Sequence, residues 1–179
     1  MKDRKLPNSE LGRISSTEYR ESPGSGIAVV LDNVRSAHNV GSAFRSADAF
    51  KADKVALCGI SAVPPSAEIH KTALGAEMSV PWIHYDDTLT AVEALRSEGY
   101  SIVCVEQTEN AVSLGDFVPS KGGKYAFVFG NEVDGVEQDV VDAGDLSLEI
   151  RQFGTKHSLN VSVCVGVVLW AVAEQLIGK

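Results

Sequence analysis

The sequence predicts an α/β fold in which helices flank a mainly parallel β-sheet. Six short, continuous apolar runs rich in β-branched residues alternate along the chain with segments of helical spacing. Continuous apolar runs are typical of strands that are covered on both faces, as they are in parallel sheets. Strands and helices that alternate in this way form layered α/β domains. The 179 residues are enough to bury one sizeable core.

A polar N-terminal arm precedes the predicted domain. We place the arm at residues 1–25, because it ends in a Ser-Pro-Gly-Ser-Gly breaker, and the domain at residues 26–179. The predicted strands are residues 27–31, 55–58, 80–84, 101–106, 125–129 and 146–150. The predicted helices are residues 39–50, 67–74, 88–98 and 136–142, followed by one at the C-terminus.

The third predicted helix has the clearest local pattern. Asp87 can cap its N-terminus, and Gly99 ends it. Between them, Leu89, Val92 and Leu95 recur at three-residue spacing. This combination predicts an amphipathic helix.

The last apolar segment, residues 161–177, fits two structures. Residues 161–167 alternate like a strand, and local propensity favours one. The length of the whole segment and its polar end fit a helix better, so we predict a helix. A helix that is apolar nearly all round must be buried on more than one side. We expect a second subunit to cover the other side.

The charge of the chain argues against a general nucleic-acid binder. The net charge is −8 and the pI is about 5.0, whereas such binders neutralise phosphates with many Lys and Arg side chains. The first 20 residues carry a net charge of +2, which leaves −10 for the rest. A polyanion would therefore be bound by a local patch. The candidates for that patch are the arm and Arg35, Arg45, Lys71, Arg151 and Lys156.

The three cysteines favour an intracellular protein without a metal site. Cys58, Cys104 and Cys164 are widely spaced within apolar runs, which fits buried reduced thiols in a cytoplasmic protein. The sequence contains neither CxxC nor HxxxH, and we expect no bound metal. The charged start lacks the apolar core of a secretory signal, and no apolar run is long enough to span a bilayer.

The first candidate motif lies in residues 29–50. An apolar strand is followed by a polar turn and by a helix of small residues that carries one cation, Arg45. Helical side chains lean toward the N-terminus, so the guanidinium should lie over the first turn, unobstructed by Gly41. Such a unit suits a phosphate or a sugar. The alternative is a surface arginine paired with Asp48.

The second motif follows the strand at 125–129, where Gly130-Asn131-Glu132 precedes Gly135. Glycines after a strand allow close backbone approach to a ligand. Unpaired backbone groups there could bind an adenine edge, and Glu132 could anchor the loop or a cationic partner. The alternative is an ordinary turn before a helix.

The third motif is the polar loop at residues 152–160. Ser158 is the expected N-cap of the last helix, and the Asn160 amide could reach across the loop. His157 could act as a base, but we predict that it does not. Other common sites are absent from the sequence, which has no G-x-S-x-G, no Walker A loop and no Rossmann fingerprint.

The three motifs together resemble the SpoU (TrmH-like) family of RNA ribose 2′-O-methyltransferases in the SPOUT superfamily. The matching segments are residues 39–45 (NVGSAFR), 71–77 (KTALGAE), 130–135 (GNEVDG) and 158–163 (SLNVSV). The resemblance covers about residues 27–177. It implies a homodimer with active sites at the interface and a C-terminal deep trefoil knot. Because knots are nearly absent from proteins, no periodicity argument predicts one.

The resemblance also implies a reaction and a set of site residues. The reaction is methyl transfer from S-adenosylmethionine to a ribose 2′-hydroxyl of tRNA or rRNA. The expected catalytic residues are Arg45, Asn39, Glu132, Ser158 and Asn160. The expected cofactor-binding residues are Gln107, Phe129, Gly130, Asn131, Glu132, Ile150, Gln152, Phe153, Ser158, Leu159 and Asn160. The expected RNA-binding residues are Arg35, Arg45, Lys71, Arg151 and Lys156.

The sequence departs from the family pattern at two points. Many family members have Ile-Pro where this chain has Ile150-Arg151, which restores backbone freedom and adds a cation beside the cofactor loop. The acidic balance suggests recognition of a few phosphates and a flipped nucleotide in place of a broad basic face. The alternative function is a catalytically inactive RNA-binding or assembly module of the same fold. The presence together of Asn39, Arg45, Glu132 and Asn160 argues against it.

Overall fold

The computed structural model describes residues 3–177 and confirms the α/β fold. The strands are β1 (Ile27–Asp32), β2 (Lys54–Cys58), β3 (Trp82–Tyr85), β4 (Ser101–Val105), β5 (Val112–Ser113), β6 (Tyr125–Phe129) and β7 (Leu146–Glu149). The helices are α1 (Ser16–Glu21), α2 (Ala37–Ala49), α3 (Ala67–Ala73), α4 (Ala76–Ser79), α5 (Thr88–Ser97), α6 (Gln138–Ala143) and α7 (Val161–Leu176). A 3-10 turn (Asn8–Glu10) lies in the N-terminal arm.

The seven strands form one sheet in the order β3-β2-β1-β6-β4-β7-β5. Every pairing between these strands is parallel, and in the interior strand β1 Val30 lies opposite Ala56 on one side and Val128 on the other. The carboxyl ends of all seven strands therefore lie along one edge. In open parallel sheets this edge is the one that binds ligands.

Two layers of helices cover the sheet, as the continuous apolar strands predict. On one face, Val29 and Leu31 of β1 join a core with Phe44 of α2 and Leu169 of α7. On the other face, residues of β1 such as Val30 pack with Ala91, Val92 and Leu95 of α5. Leu89, which belonged to the predicted apolar stripe, is instead exposed, because it lies one position away from the face that packs on the sheet. All six residues of β1 are buried. This double cover explains why the strand lacks polar alternation.

Helix α7 resolves the ambiguity of the last segment. Residues 161–176 are helical, so the strand-like alternation at the start of the segment is overridden by burial against the sheet. The predicted cap was wrong by two residues. The side chain of Asn160, not that of Ser158, accepts the Ser162 N–H at 2.9 Å, because the helix begins at Val161 and places Asn160 next to its free N–H groups.

Four short elements were not predicted. The strand β5 has only two residues and is defined by its pairing with β7, which no local pattern indicates. Helix α4 follows Leu74 and Gly75, both in the left-handed conformation. The third and fourth elements are α1 and the 3-10 turn of the arm. Helix α1 had a signal, since Ser15 and Glu18 form a reciprocal capping box.

Part of the N-terminal arm packs on the domain. The side chain of Tyr19 in α1 is buried, and its hydroxyl donates to the Ala52 carbonyl at 2.8 Å. The ammonium of Lys51 donates to the Tyr19 carbonyl at 2.6 Å. These contacts attach α1 to the end of α2, while the domain boundary at residue 25 stays a prediction.

Candidate active site

A cavity of about 370 Å³ opens at the carboxyl edge of the sheet. It lies between the ends of β4, β6 and β7 and the loop that leads to α7. Its volume is within the range of pockets that bind small molecules. Nine of the eleven residues predicted to bind a cofactor line it, namely Gln107, Phe129, Gly130, Asn131, Glu132, Ile150, Gln152, Ser158 and Leu159. Phe153 and Asn160 do not line it.

The loop after β6 is held in shape by its own asparagine and glycines. The side-chain oxygen of Asn131 accepts the N–H groups of Val133 and Asp134, both at 2.9 Å. The backbones of Asn131 and Gly135 exchange two hydrogen bonds of 3.1 and 3.2 Å. A Cβ at Gly130 would collide with the backbone of Gly135. Glycine is therefore required here by the closure of the loop on itself.

Glu106, which no sequence pattern identified, ties two walls of the cavity together. Its carboxylate accepts the Gln107 N–H at 2.8 Å and the Val136 N–H at 3.0 Å. Gly135 has φ +70°, and a Cβ there would collide with the Glu106 carboxylate. The available signal was positional, since Glu106 directly follows a buried parallel strand. Three other lining residues, which also lie at strand ends and belong to no sequence motif, were not predicted: Val105, Leu148 and Glu149.

Buried Asp32 also stabilises the end of the loop after β6. Its carboxylate accepts the Thr88 hydroxyl at 2.5 Å and the Glu137 N–H at 3.0 Å. Two consecutive residues just before α6 thus donate to two different carboxylates: the Val136 N–H donates to Glu106, and the Glu137 N–H donates to Asp32. The two carboxylates fix where the loop after β6 ends.

The loop before α7 closes over the cavity through one carbonyl. The His157 carbonyl accepts the side-chain amide of Gln107 at 2.7 Å and that of Gln152 at 3.5 Å. The His157 ring is exposed. The loop also carries Arg151, whose guanidinium lies 3.5 Å from the Asp116 carboxylate with both side chains exposed.

All three sequence motifs meet in one hydrogen-bonded cluster of side chains. The Asn39 amide, at the start of α2, donates to the Glu132 carboxylate in the loop after β6. The Asn160 amide, at the start of α7, donates to the Asn39 carbonyl oxygen at 3.2 Å. Residues that are 93 and 121 positions apart in the sequence are thus joined at the rim of the cavity.

Arg45 lies outside this cavity in its own chain. It is exposed on α2, in a shallow depression of about 520 Å³ that it shares with Lys71 and Thr72 of α3. Within residues 3–177 it forms no salt bridge with Asp48, so the alternative of a surface pair is not observed. Gly41 has a different role from the predicted one. A Cβ at Gly41 would collide with Thr72 and Ile69, so glycine permits close packing of α2 on α3.

The predicted RNA-binding cations are all exposed but do not form one patch. Arg45 and Lys71 share the depression between α2 and α3. Arg151 and Lys156 lie on the loop before α7. Arg35 lies just before α2, near Asn39 in sequence.

The outer face of α7 is apolar and exposed. Val163 and Trp170 of α7 and Ile177, its C-cap, are 49%, 59% and 51% exposed, and they recur at seven-residue spacing. Such a stripe is typical of a helix that packs against another subunit. In the described residues, no helix is long and apolar enough to cross a membrane.

The thiols and the acidic groups of residues 3–177 show no metal site, because no three His, Cys, Asp or Glu residues are grouped suitably. Burial raises the pKa of the Cys58 thiol and that of the Cys104 thiol to about 12. Cys164 lines the cavity, and its pKa is also raised by burial.

These features define a class of protein: a parallel α/β domain that binds a small ligand at the carboxyl ends of its strands. Within this class, the chain belongs to the SpoU rRNA Methylase family, whose family model matches residues 26–170. The family resemblance stated from the three motifs is therefore confirmed.

Three similar proteins illustrate the relationship. The 23S rRNA (guanosine-2′-O-)-methyltransferase RlmB of Coxiella burnetii is 30% identical over 93% of this chain and 64% of its own length. The tRNA (guanosine(18)-2′-O)-methyltransferase of Borreliella burgdorferi is 26% identical over 84% of this chain and 67% of its own. The AdoMet-bound rRNA methyltransferase structure from Sinorhizobium meliloti is 25% identical, with a TM-score of 0.77 over 87% of this chain and 59% of its own. The chain thus spans between 59% and 67% of the length of these three proteins.

Proposed function

We propose that this chain is a methyltransferase that transfers a methyl group from S-adenosylmethionine to a ribose 2′-hydroxyl of tRNA or rRNA. The main support is that three distant motifs converge on one cavity at the carboxyl edge of the sheet. The family and the named relatives give independent support. Because both rRNA and tRNA enzymes are among these relatives, the proposal covers both substrates.

The cavity fits S-adenosylmethionine in shape and in charge. Phe129, Leu148 and Ile150 supply apolar walls, and Gln107, Asn131 and Gln152 supply polar ones. Four acidic residues line the cavity: Glu106, Glu132, Asp134 and Glu149. They complement a ligand that carries a cationic sulfonium and an ammonium group. When bound, this cofactor supplies an electrophilic methyl group.

Arg45 is proposed to act on the RNA and not as a base. A guanidinium is not deprotonated in proteins, so it cannot accept the hydroxyl proton. Arg45 can clamp the adjacent phosphate so that a phosphate oxygen takes the proton, or it can stabilise the developing alkoxide. Lys71, in the same depression, adds a second cation for that phosphate. Most of the rate would then come from alignment of the reacting atoms.

We further propose a homodimer in which Arg45 serves the cavity of the other subunit. Arg45 does not line the cavity of its own chain. The exposed apolar stripe of α7 offers a contact surface, and the same helix contributes Val161 and Cys164 to the cavity. A dimer through α7 would therefore form beside the cavity.

Three further expectations belong to this proposal. The loop before α7 must cross the carboxyl edge, because β7 lies near one end of the sheet whereas α7 packs on α2. Such a crossing is compatible with the predicted trefoil knot. A cytoplasmic location and the absence of a bound metal also stay predictions. The inactive alternative has no support from the named relatives, which are methyltransferases.

The decisive experiment combines two measurements on the whole chain. Calorimetric titration with S-adenosylhomocysteine tests the cavity, and we expect one site per chain. Ribose-methylation mapping of total RNA from a strain that lacks the gene identifies the target nucleotide. A folded protein that binds no S-adenosylhomocysteine, together with unchanged RNA methylation in that strain, would contradict the proposal.

A further inference from the structure

Phe153 is the most exposed of the large apolar side chains in the described residues. Its exposed fraction is 95%, although it follows Gln152, which lines the cavity. The resemblance predicted a role in cofactor binding, but the ring does not line the cavity. Single exposed apolar residues are common and need no explanation by themselves. The position and the charge of this loop provide the second observation.

The loop that carries Phe153 is the cationic side of an otherwise acidic site. Residues 150–160 contain Lys156 and Arg151, which lies 3.5 Å from the exposed Asp116 carboxylate, and no carboxylate of their own, in a chain whose net charge is −8. The loop after β6, which also lines the cavity, carries Glu132 and Asp134. A polyanion that reaches the cavity is therefore attracted to the loop before α7 and repelled from the loop after β6.

The loop is also fixed at its base and open at its tip. The His157 carbonyl is tied to Gln107, and Gln152 faces the cavity. Gly154, next to Phe153, has no atom within 4 Å of the place where a Cβ would be. The exposed ring of Phe153 therefore follows a cavity-lining residue directly, with free space beside it at Gly154.

We propose that Phe153 is a stacking platform for a nucleobase of the RNA substrate, either the target base or its neighbour. Aromatic rings with adjacent cations are the usual means by which proteins hold unstacked bases. Arg151 and Lys156 then contact the phosphates on either side of that base. This inference rests on the proposed function, because it names a subsite for the same RNA.

The test is a methyl-transfer assay on four variants of the whole chain. The substrate is total RNA isolated from a strain that lacks the gene, and the donor is labelled S-adenosylmethionine. For Phe153→Ala we expect the KM for RNA to rise about ten-fold, with kcat and the affinity for S-adenosylhomocysteine unchanged. Phe153→Tyr should restore the KM, whereas Phe153→Leu should not. Lys156→Ala should raise the KM and reduce its dependence on salt.

A matched control is Val118→Ala, which removes another exposed apolar side chain. Val118 is 80% exposed and lies in the segment that leads into β6, at the opposite edge of the sheet. We expect its kinetics to equal those of the wild type. Equal effects of the two alanine variants would overturn the proposal.

Three other results would also overturn it. A wild-type KM for Phe153→Leu would mean that apolar contact suffices without stacking. Weaker S-adenosylhomocysteine binding by Phe153→Ala would assign the ring to the cofactor. Conversion of Phe153→Ala to a monomer, measured by sedimentation, would assign it to a contact between copies. If instead the wild type transfers no methyl group and binds no cofactor, the proposed function itself fails.

Discussion

The cavity at the sheet edge and the depression around Arg45 differ in construction and in charge. The cavity is built by four chain segments that are tied together through Glu106, Asn39 and the His157 carbonyl, and four acidic residues line it. The depression is formed by two helices, is wider, and contains two cations and no carboxylate. The first suits a small cationic ligand and the second suits a phosphate.

The separation of these two regions also bears on assembly. Each chain carries both, but Arg45 does not reach the cavity of its own chain. The proposed homodimer would combine the two regions across two subunits. The experiments below test whether the two regions are functionally distinct and whether they act together.

The largest expected effect is that of Arg45→Ala. We expect methyl transfer to fall about 100- to 1000-fold, because a charged donor to the developing alkoxide or its phosphate is lost. Binding of S-adenosylhomocysteine, measured by calorimetry, should not change, since Arg45 lies outside the cavity. Arg45→Lys should recover only part of the rate, because lysine lacks the planar fork. A wild-type rate for Arg45→Ala would show that the role is misassigned.

A mixture of two impaired variants, assayed at an S-adenosylmethionine concentration far below that needed to saturate Gly130→Ala, tests the combination across subunits. The Arg45→Ala chain has an intact cavity but lacks the arginine, whereas the Gly130→Ala chain has the arginine but a damaged cavity. If Arg45 serves the partner's cavity, mixed dimers contain one complete site, and a statistical mixture should regain about a quarter of wild-type activity. The readout is methyl transfer after co-refolding. No activity above the sum of the separate variants would contradict action across subunits.

Gly130→Ala should damage the cavity alone. Its Cβ would collide with the backbone at Gly135, which cannot move aside as a flexible side chain can. We expect the affinity for S-adenosylhomocysteine to fall at least about ten-fold, equivalent to about 1.4 kcal/mol. The matched control is Gly115→Ala, since its Cβ would lie 3.9 Å from the nearest atom, the Ser113 hydroxyl. Equal affinity of Gly130→Ala and Gly115→Ala for S-adenosylhomocysteine would show that the loop after β6 does not need glycine at position 130.

The smallest expected effect is on the chemical reactivity of Cys164, the cysteine that lines the cavity. Burial raises the pKa of Cys164, so less thiolate is present at pH 8 than in a free cysteine, and reaction with a thiol reagent should be slow. S-adenosylhomocysteine should slow it further, whereas RNA alone should not. Cys58 and Cys104, with pKa values of about 12, should not react in the folded protein. Equal protection by RNA would argue that RNA also occupies the cavity.

Much of the fold is determined by local sequence patterns. Each long strand and helix has its own period or apolar run, so β1 and α5 are found near their predicted bounds. Helix α7 required only its length to be distinguished from a strand. By contrast, β5 exists through its pairing with β7, and α4 follows two left-handed residues. Neither feature has a local signal.

The candidate site, like the fold, has some features that the sequence predicts and others that it does not. The sequence by itself determined the three motifs and the family, because these depend on residue types at short spacing. Only the tertiary structure decided that Asn39, Glu132 and Asn160 meet, that Glu106 joins two loops, and that Phe153 lies outside the cavity. It also separated Arg45 from that cavity. The physical reason is that contacts between distant segments follow from strand order and helix packing, which short-range patterns do not contain.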